Sequence, residues 1–364
     1  MIHRLLLLAL LAFAASGCAL LGGSRVEAVA TSVQKPSNIA LLVEVTESGE
    51  PVAGLEPQNF KLYENGQELS GDVVKRTLLE RAPVAAERVV LVVELHGLPS
   101  SPERARLVRA VEVFVEKLRP TVAVSVFAFD GSDGLKNVGD FAKGAGAPSA
   151  AALSTIPGPD GSRNLHGAVI DGVRQLDVRL TSENKPLRIG TLVVVARGPD
   201  LANRESEDRM AQVLESVRFD VIAIGIGEDT PYLGFARSGV VHSQNADTLP
   251  VAFEEAATRA VATHGKYYLV AYCSPARAGE RRVKLEVAYE SKKGEDRGGS
   301  VEQDFDATGF GPGCNPTTTP RFASQKNAPA SAGQAPPGAA VNRAPETAPG
   351  GEVVPPPAGT DYAQ

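Results

Sequence analysis

From residue 88 to residue 265 this chain alternates strand-length apolar runs with stretches of helical periodicity, and that alternation restricts its fold more than any other feature. Residues 89–93, 122–129, 191–196 and 221–226 are runs rich in β-branched residues, the pattern of strands covered on both faces in a parallel sheet. Between the first two, residues 102–118 put Leu107, Val111, Phe114, Val115 and Leu118 on one helical face. Ser101 stands ready as N-cap and Pro102 as first helical residue. Leu165, Val169, Val173 and Leu176 mark a second amphipathic helix, and Leu249, Phe253, Ala257, Ala260 and Val261 a third. Strands that alternate with helices need helical crossovers, so the expected fold class is α/β: a doubly wound, mostly parallel sheet in a three-layer arrangement.

The flanks have a different period. Residues 39–45 form an apolar run, Ser48-Gly49-Glu50-Pro51 a turn, and residues 60–63 alternate before Asn65-Gly66. That dipeptide favours a type I′ hairpin because both of its residues tolerate positive φ. A small N-terminal β module is therefore expected over 38–85, ahead of the α/β domain at 86–265. Residues 267–272, 283–289 and 300–305 return to strand character, so 266–314 is expected to be a C-terminal antiparallel β extension. Beyond residue 315 proline, alanine, glycine and threonine dominate, and such a composition buries too little apolar surface to order itself. Residues 315–364 are expected to be a disordered tail.

The chain begins with His3-Arg4, an apolar run over 5–15 and small residues up to Cys18, the order of a secretory signal peptide. The run is shorter than the roughly twenty residues of a membrane-spanning helix. Ala15-Ser16-Gly17-Cys18 resembles a bacterial lipobox, so residues 1–18 are expected to be a lipoprotein signal and 19–37 a tether. That resemblance implies lipidation of Cys18 with palmitate-type acyl chains, which together hold a protein on a bilayer. Ala19, where an aspartate would act as a retention signal, implies the outer membrane, facing the periplasm or the cell surface. With Cys18 set aside, Cys273 and Cys314 are an even number in an exported protein and are expected to form one disulfide. Two cysteines without nearby histidines are too few for a zinc site. The net charge of -6 and the lack of a basic run argue against nucleic-acid binding and against an electrostatic headgroup patch.

Three segments that follow strand signals carry the candidate site. They are Glu94-Leu95-His96-Gly97-Leu98, Gly161-Ser162-Arg163-Asn164-Leu165 and Ala196-Arg197-Gly198-Pro199-Asp200. Their order and spacing, followed by Val221-Ile222-Ala223-Ile224-Gly225-Ile226-Gly227, resemble the metal-ion-dependent adhesion site of von Willebrand factor A-type domains over 86–265. The segments Tyr267-Tyr268-Leu269-Val270-Ala271-Tyr272-Cys273-Ser274-Pro275 and Gly309-Phe310-Gly311-Pro312-Gly313-Cys314 are similar to a recurrent extension in bacterial lipoproteins related to that family. The resemblance implies one magnesium or manganese ion held by Asp-x-Ser-x-Ser, a threonine and an aspartate. By position Glu94 falls on the first aspartate, His96 and Leu98 on the serines, Arg163 on the threonine and Arg197 on the last aspartate.

Of these five residues only Glu94 offers the oxygen that a hard dication requires, and two guanidinium groups repel one. The site is therefore read as degenerate, with no metal and no cofactor. A fixed guanidinium can instead attract a carboxylate through paired hydrogen bonds, with Glu94 orienting one of the arginines. Glu94, His96, Arg163, Arg197 and Asp200 are the expected partner-binding residues. The expected function is non-catalytic: a lipid-anchored envelope protein that binds or scaffolds an unidentified envelope or extracellular protein, its oligomeric state left open. Three other readings stand beside it: a metal-dependent envelope enzyme using Glu94, His96 and His166, a purely structural envelope protein, and a decayed site with solvated arginines. Gly225-Ile226-Gly227 has Thr230 where a dinucleotide fingerprint needs its third glycine, and there is no nucleophile elbow or phosphate loop. Asp130, Asp133 and Asp140 fall around an Asp-Gly-Ser-Asp-Gly turn that reads as solvated.

Overall fold

The computed structural model describes residues 24–95, 101–157, 160–227, 230–291 and 293–323. The signal segment with Cys18, residue His96 and residues 324–364 lie outside the described residues. In chain order the strands before the first helix are β1 (Ser24–Gln34), β2 (Asn38–Glu47), β3 (Glu50–Pro51), β4 (Phe60–Glu64), β5 (Gln67–Leu69), β6 (Thr77–Leu79) and β7 (Ala85–Glu94). Then come α1 (Pro102–Leu118), β8 (Ala123–Phe129), β9 (Lys136–Phe141), α2 (Leu165–Ser182), β10 (Leu187–Ala196), α3 (Glu207–Glu215), β11 (Asp220–Ile226), β12 (Val240–Ser243) and α4 (Leu249–Gly265). The chain closes with β13 (Tyr267–Cys273), β14 (Glu280–Glu290) and β15 (Asp296–Asp306).

The central sheet has the order β12-β11-β10-β7-β8-β9, parallel throughout except for β9, which runs antiparallel to β8. Strand period 2 divides its core in two. Val89, Leu91 and Val93 of β7 face α1 and α4, while Val90 and Val92 face α2 and α3. Each face is filled by the helical stripe read from the sequence: Leu107, Val111, Phe114, Val115 and Leu118 on one side, Leu165, Val169, Val173 and Leu176 on the other. The chain builds outward from β7 to β9 and then crosses back to β10, so strand order reverses between β7 and β10. In open α/β sheets such a reversal leaves a crevice at the carboxyl ends of the two strands, where loops diverge and ligands bind.

The flanking segments are not separate modules. The structure replaces the expected 38–85 and 266–314 units with one body of two sheets that both segments share. One sheet runs β1-β2-β13-β6 with β3 beside β2, and the other β15-β14-β4-β5. Ile39, Leu41, Val43 and Val45 of β2, with Tyr268, Val270 and Tyr272 of β13, pack between these two sheets against Phe60, Leu62, Val283, Leu285 and Val287. The alternate residues Ala40, Leu42, Tyr267, Leu269 and Ala271 face the other way, onto Val84, Ala85, Leu187 and Ile189 at the entry to β7 and β10. Both faces of β2 and β13 are thus buried, one against a sheet and one beneath the α/β domain. Sequence periodicity shows that a strand is apolar but not that its partner lies more than two hundred residues away.

Two further boundaries move. Residues 24–34, expected within the tether, form β1, an edge strand paired along its length with β2. The start of the expected tail is also ordered: Asn315 accepts from Asn38 Nδ2 at 2.9 Å, the main chain of Arg321 pairs with Ser32 Oγ, and Phe322 is buried among the apolar residues under the α/β domain. The expected disulfide is present between Cys273 and Cys314, with Cα atoms 5.8 Å apart.

Ion pairs seal the seam between the α/β domain and the β body. Lys266 Nζ lies 2.8 Å from Asp220 and 2.9 Å from Glu44. Glu87, at the start of β7, accepts from Arg81 Nε at 2.8 Å and faces His264 Nδ1 at 3.4 Å. Burial alone would raise the Glu87 carboxyl, but the His264 and Arg81 hydrogen bonds outweigh it and hold it at about 2, below an ordinary 4.5. A depressed carboxylate contributes stability that is present above the unfolded-state value and is lost as pH falls through the folded one. Acid titration from above pH 4.5 down to 2 is expected to remove about 3 kcal/mol through this group. Denaturant unfolding of Glu87→Gln at neutral and acidic pH checks this. The acid limb should flatten in the variant, and an unchanged limb would assign the loss to other groups.

Candidate functional site

At the carboxyl ends of β7 and β10 the described residues of the three loop segments meet through Glu94, Arg163 and Arg197. Val93 pairs with Val195 in parallel register, so Glu94 and Arg197 leave neighbouring strands at the same edge. Glu94 is only 6% exposed, and the protein itself uses both of its oxygens. Arg163 Nε donates to Oε1 at 2.9 Å, and the Arg197 backbone N–H donates to Oε2 at 2.6 Å. Arg163 Nη1 donates in turn to the Pro199 carbonyl at 2.9 Å, while the Arg163 carbonyl accepts from Leu201 and Ala202. One guanidinium therefore ties the ends of β7 and β10 to the start of α2.

The α2 terminus is fixed by two caps. Asn164 accepts from Gly167 N at 3.2 Å as N-cap, and its own N–H donates to the Asp130 carbonyl at the end of β8. Asp200, arriving from the loop after β10, accepts from His166 N at 3.0 Å and from Asn203 N at 2.8 Å. A carboxylate at a helix N-terminus meets unpaired N–H groups and the positive end of the dipole. Asp200 is thus a brace that binds the third loop to the helix of the second. The His166 ring lies 3.1 Å from the Glu205 carbonyl, in the same bracing loop.

Residues invisible to motif reading complete the site. Arg204 donates from Nε to the Gly131 carbonyl at 2.6 Å and pairs with Asp133 at 3.3 Å and Asp160 at 3.5 Å. It repeats at the outer loops what Arg163 does at the centre. Tyr232 donates to the Ala196 carbonyl at 3.3 Å, and burial followed by the charge of Glu94 raises its hydroxyl pKa against the opposing pull of Arg163. Asp130 corrects the solvated-turn reading: it is 2% exposed, accepts from Ser132 and forms an ion pair with Lys136. Burial raises its carboxyl, and the Lys136 and Ser132 bonds override that to leave it below the usual range.

Glu94, Arg163 and the Arg197 main chain thus meet, Asp200 braces the neighbouring loop to α2, and His96 lies outside the described residues. The two arginines differ in kind. Arg163 is committed to Glu94 and Pro199, and its side chain is 17% exposed. The Arg197 guanidinium has its Nε buried without a hydrogen-bond partner among the described residues. Burial lowers its pKa, Glu94 and Glu103 pull upward, and Arg163 pushes down again. At the rim, Leu201 is 56% exposed beside exposed Pro199. No group of three or more His, Cys, Asp or Glu residues suited to a metal ion occurs among the described residues.

Gly198 has a steric role here. A Cβ at that position would lie 2.7 Å from Arg163 Nη1 and 3.2 Å from Cζ, so the guanidinium rests on the glycine. Gly198→Ala is expected to displace Arg163 and break its bond to Pro199, at a stability cost of about 1 kcal/mol. A thermal melt gives the cost, and a crystal structure of the variant shows whether the guanidinium has moved.

No family model matches the sequence, and no curated protein does. Solved structures of similar shape include a von Willebrand factor type A protein from Catenulispora acidiphila, 14% identical over 78% of this chain and 72% of that one, with a TM-score of 0.41. The PilB minor pilin from Streptococcus sanguinis is 11% identical over 67% of this chain and 78% of its own, TM-score 0.35. The manganese-loaded TRAP protein from Plasmodium vivax is 11% identical over 68% of this chain and 98% of its own, also at 0.35. Likenesses of this size establish neither family nor function, and the doubly wound α/β fold rests on the strand order β12-β11-β10-β7-β8-β9.

Proposed function

We propose that this chain is a non-catalytic, lipid-anchored protein of the bacterial outer membrane. In this reading it binds a protein partner through the carboxyl edge of its α/β sheet without a divalent ion. The observation that supports this best is the double use of Glu94: its two oxygens are taken by Arg163 Nε and the Arg197 N–H, so a resident guanidinium links the three loops. A metal ion would have to displace Arg163 from a partner of opposite charge before reaching Glu94. The von Willebrand A-like spacing of the loops is then a scaffold whose cation has been replaced by a covalently attached one. Leu201 and Pro199 supply the exposed apolar rim, and Arg197 a half-buried cation for an acidic group on the partner.

A photo-crosslinking residue placed at Leu201 in cells tests this reading. A discrete adduct is expected that disappears in the Arg163→Gln/Arg197→Gln variant and persists in the presence of chelator. An adduct that survives both substitutions, or one that chelator abolishes, would overturn it. The enzymatic alternative built on Glu94, His96 and His166 has less support, because Glu94 is already saturated and the described bonds of His166 run to Asp200 and Glu205.

A further inference from the structure

The distance between the anchor residue and the first strand determines which end of the molecule faces the bilayer. We infer that the pole formed by Ser24, the β2–β3 turn and the β14–β15 turn lies against the lipid headgroups, and that the disulfide pole with the C-terminal segment points away from them. The inference rests on the proposed lipidation of Cys18. Only residues 19–23 separate that cysteine from β1. Whatever their conformation, six Cα–Cα steps span no more than about 22 Å. The headgroup layer consumes about 6 Å of that, so Ser24 stays within about 16 Å of the membrane surface.

Several elements share the Ser24 end. Ser24 is in register with Glu47, and its hydroxyl lies 2.7 Å from the Tyr289 hydroxyl. Gly299 of β15 packs so closely that a Cβ there would lie 2.7 Å from the Ser24 carbonyl. Arg297 pairs with Glu47 at 3.0 Å, and exposed Lys293 sits in the turn between β14 and β15. The arginines there are paired: Arg25 with Glu27, Arg297 with Glu47 and Glu295. No basic cluster forms there among the described residues, so the tether rather than charge holds this pole to lipid.

The other end of β1 is fixed just as firmly. At about 3.3 Å per residue the eleven residues of β1 rise by about 33 Å. At that far end Cys273 is in register with Asn38, the disulfide joins Cys314, and the Arg321 main chain pairs with Ser32. The last described residues, 315–323, therefore lie at the end of β1 opposite Ser24. The strand acts as a strut about twice as long as the height the tether allows.

Energy transfer tests the orientation in full-length protein purified in its lipidated form and placed in vesicles carrying acceptor-labelled headgroups. A donor attached at Lys293→Cys is expected to transfer several-fold more efficiently than one at Thr318→Cys, with no change in high salt. Inserting about twenty Gly/Ser residues after Leu21 should erase the difference, because so long a coil frees either pole to approach. Equal or reversed transfer in protein that binds vesicles would overturn the orientation while leaving the anchor intact. If wild-type protein and Cys18→Ala alike fail to bind vesicles, the lipidation reading itself fails and the orientation with it.

Discussion

Replacing Glu94 by alanine is expected to destabilise the protein by about 4 kcal/mol, the range for breaking a buried ion pair by removing one member. The cost comes from what remains behind. Arg163 Nε and the Arg197 N–H both lose their acceptor at a position that is 6% exposed, and the repulsion between Arg163 and Arg197 is no longer offset by the carboxylate. Glu94→Gln keeps an acceptor for one of the two donors but removes the charge, so it should recover part of the loss. Arg163→Met should cost less than Glu94→Ala, because the Arg197 N–H still satisfies one carboxylate oxygen. Urea unfolding of the three variants gives the ranking. A loss below about 1 kcal/mol for Glu94→Ala, in the range of an exposed pair, would mean that water already reaches the site.

The same cluster shows what a sequence can disclose. Glu94 was readable because a β-branched run ends on it, and Arg163 because Asn164 and the stripe from Leu165 to Leu176 mark a helix start just after it. The helix at Pro102–Leu118 follows directly from its Ser101 cap, its proline and its apolar face, and Asn65-Gly66 takes the positive φ values its turn requires. Strand β9, with the polar sequence Lys-Asn-Val-Gly-Asp-Phe, carries no such signal. It is an edge strand paired with β8 alone among the described strands, so its free edge can be polar. Helix α3 buries only Met210 and Leu214, too few to stand out as a period. Arg204, Tyr232 and the packing of Arg163 on Gly198 depend on loops that approach only in the folded chain. The shared sheets of the β body were hidden for the same reason: β2 and β13 each read as a strand, and nothing local says that they pair.

Removing the disulfide is expected to cost about 4 kcal/mol, because the chain-entropy relation assigns that value to a closed loop with a sequence separation of 41. A second contribution is available here. Cys314 is followed by the segment that brings Arg321 to Ser32 and Phe322, 9% exposed, into the apolar layer of Ala40, Leu42, Leu187 and Leu269 beneath the α/β domain. Phe322→Ala alone should cost about 3 kcal/mol. If the disulfide acts only by constraining the unfolded chain, the losses in Cys273→Ala/Cys314→Ala and Phe322→Ala will add. If it also holds the segment in register over β1, the phenylalanine contributes less once the bond is gone, and the combined variant will lose less than the sum. Asn38, which bonds to Asn315 and lies opposite Cys273, joins both features at one strand end, so the second outcome is the expected one. A denaturant cycle over the four proteins decides it: a shortfall of about 1 kcal/mol in the combined variant shows coupling, and additivity within about 0.5 kcal/mol shows that bond and segment act independently.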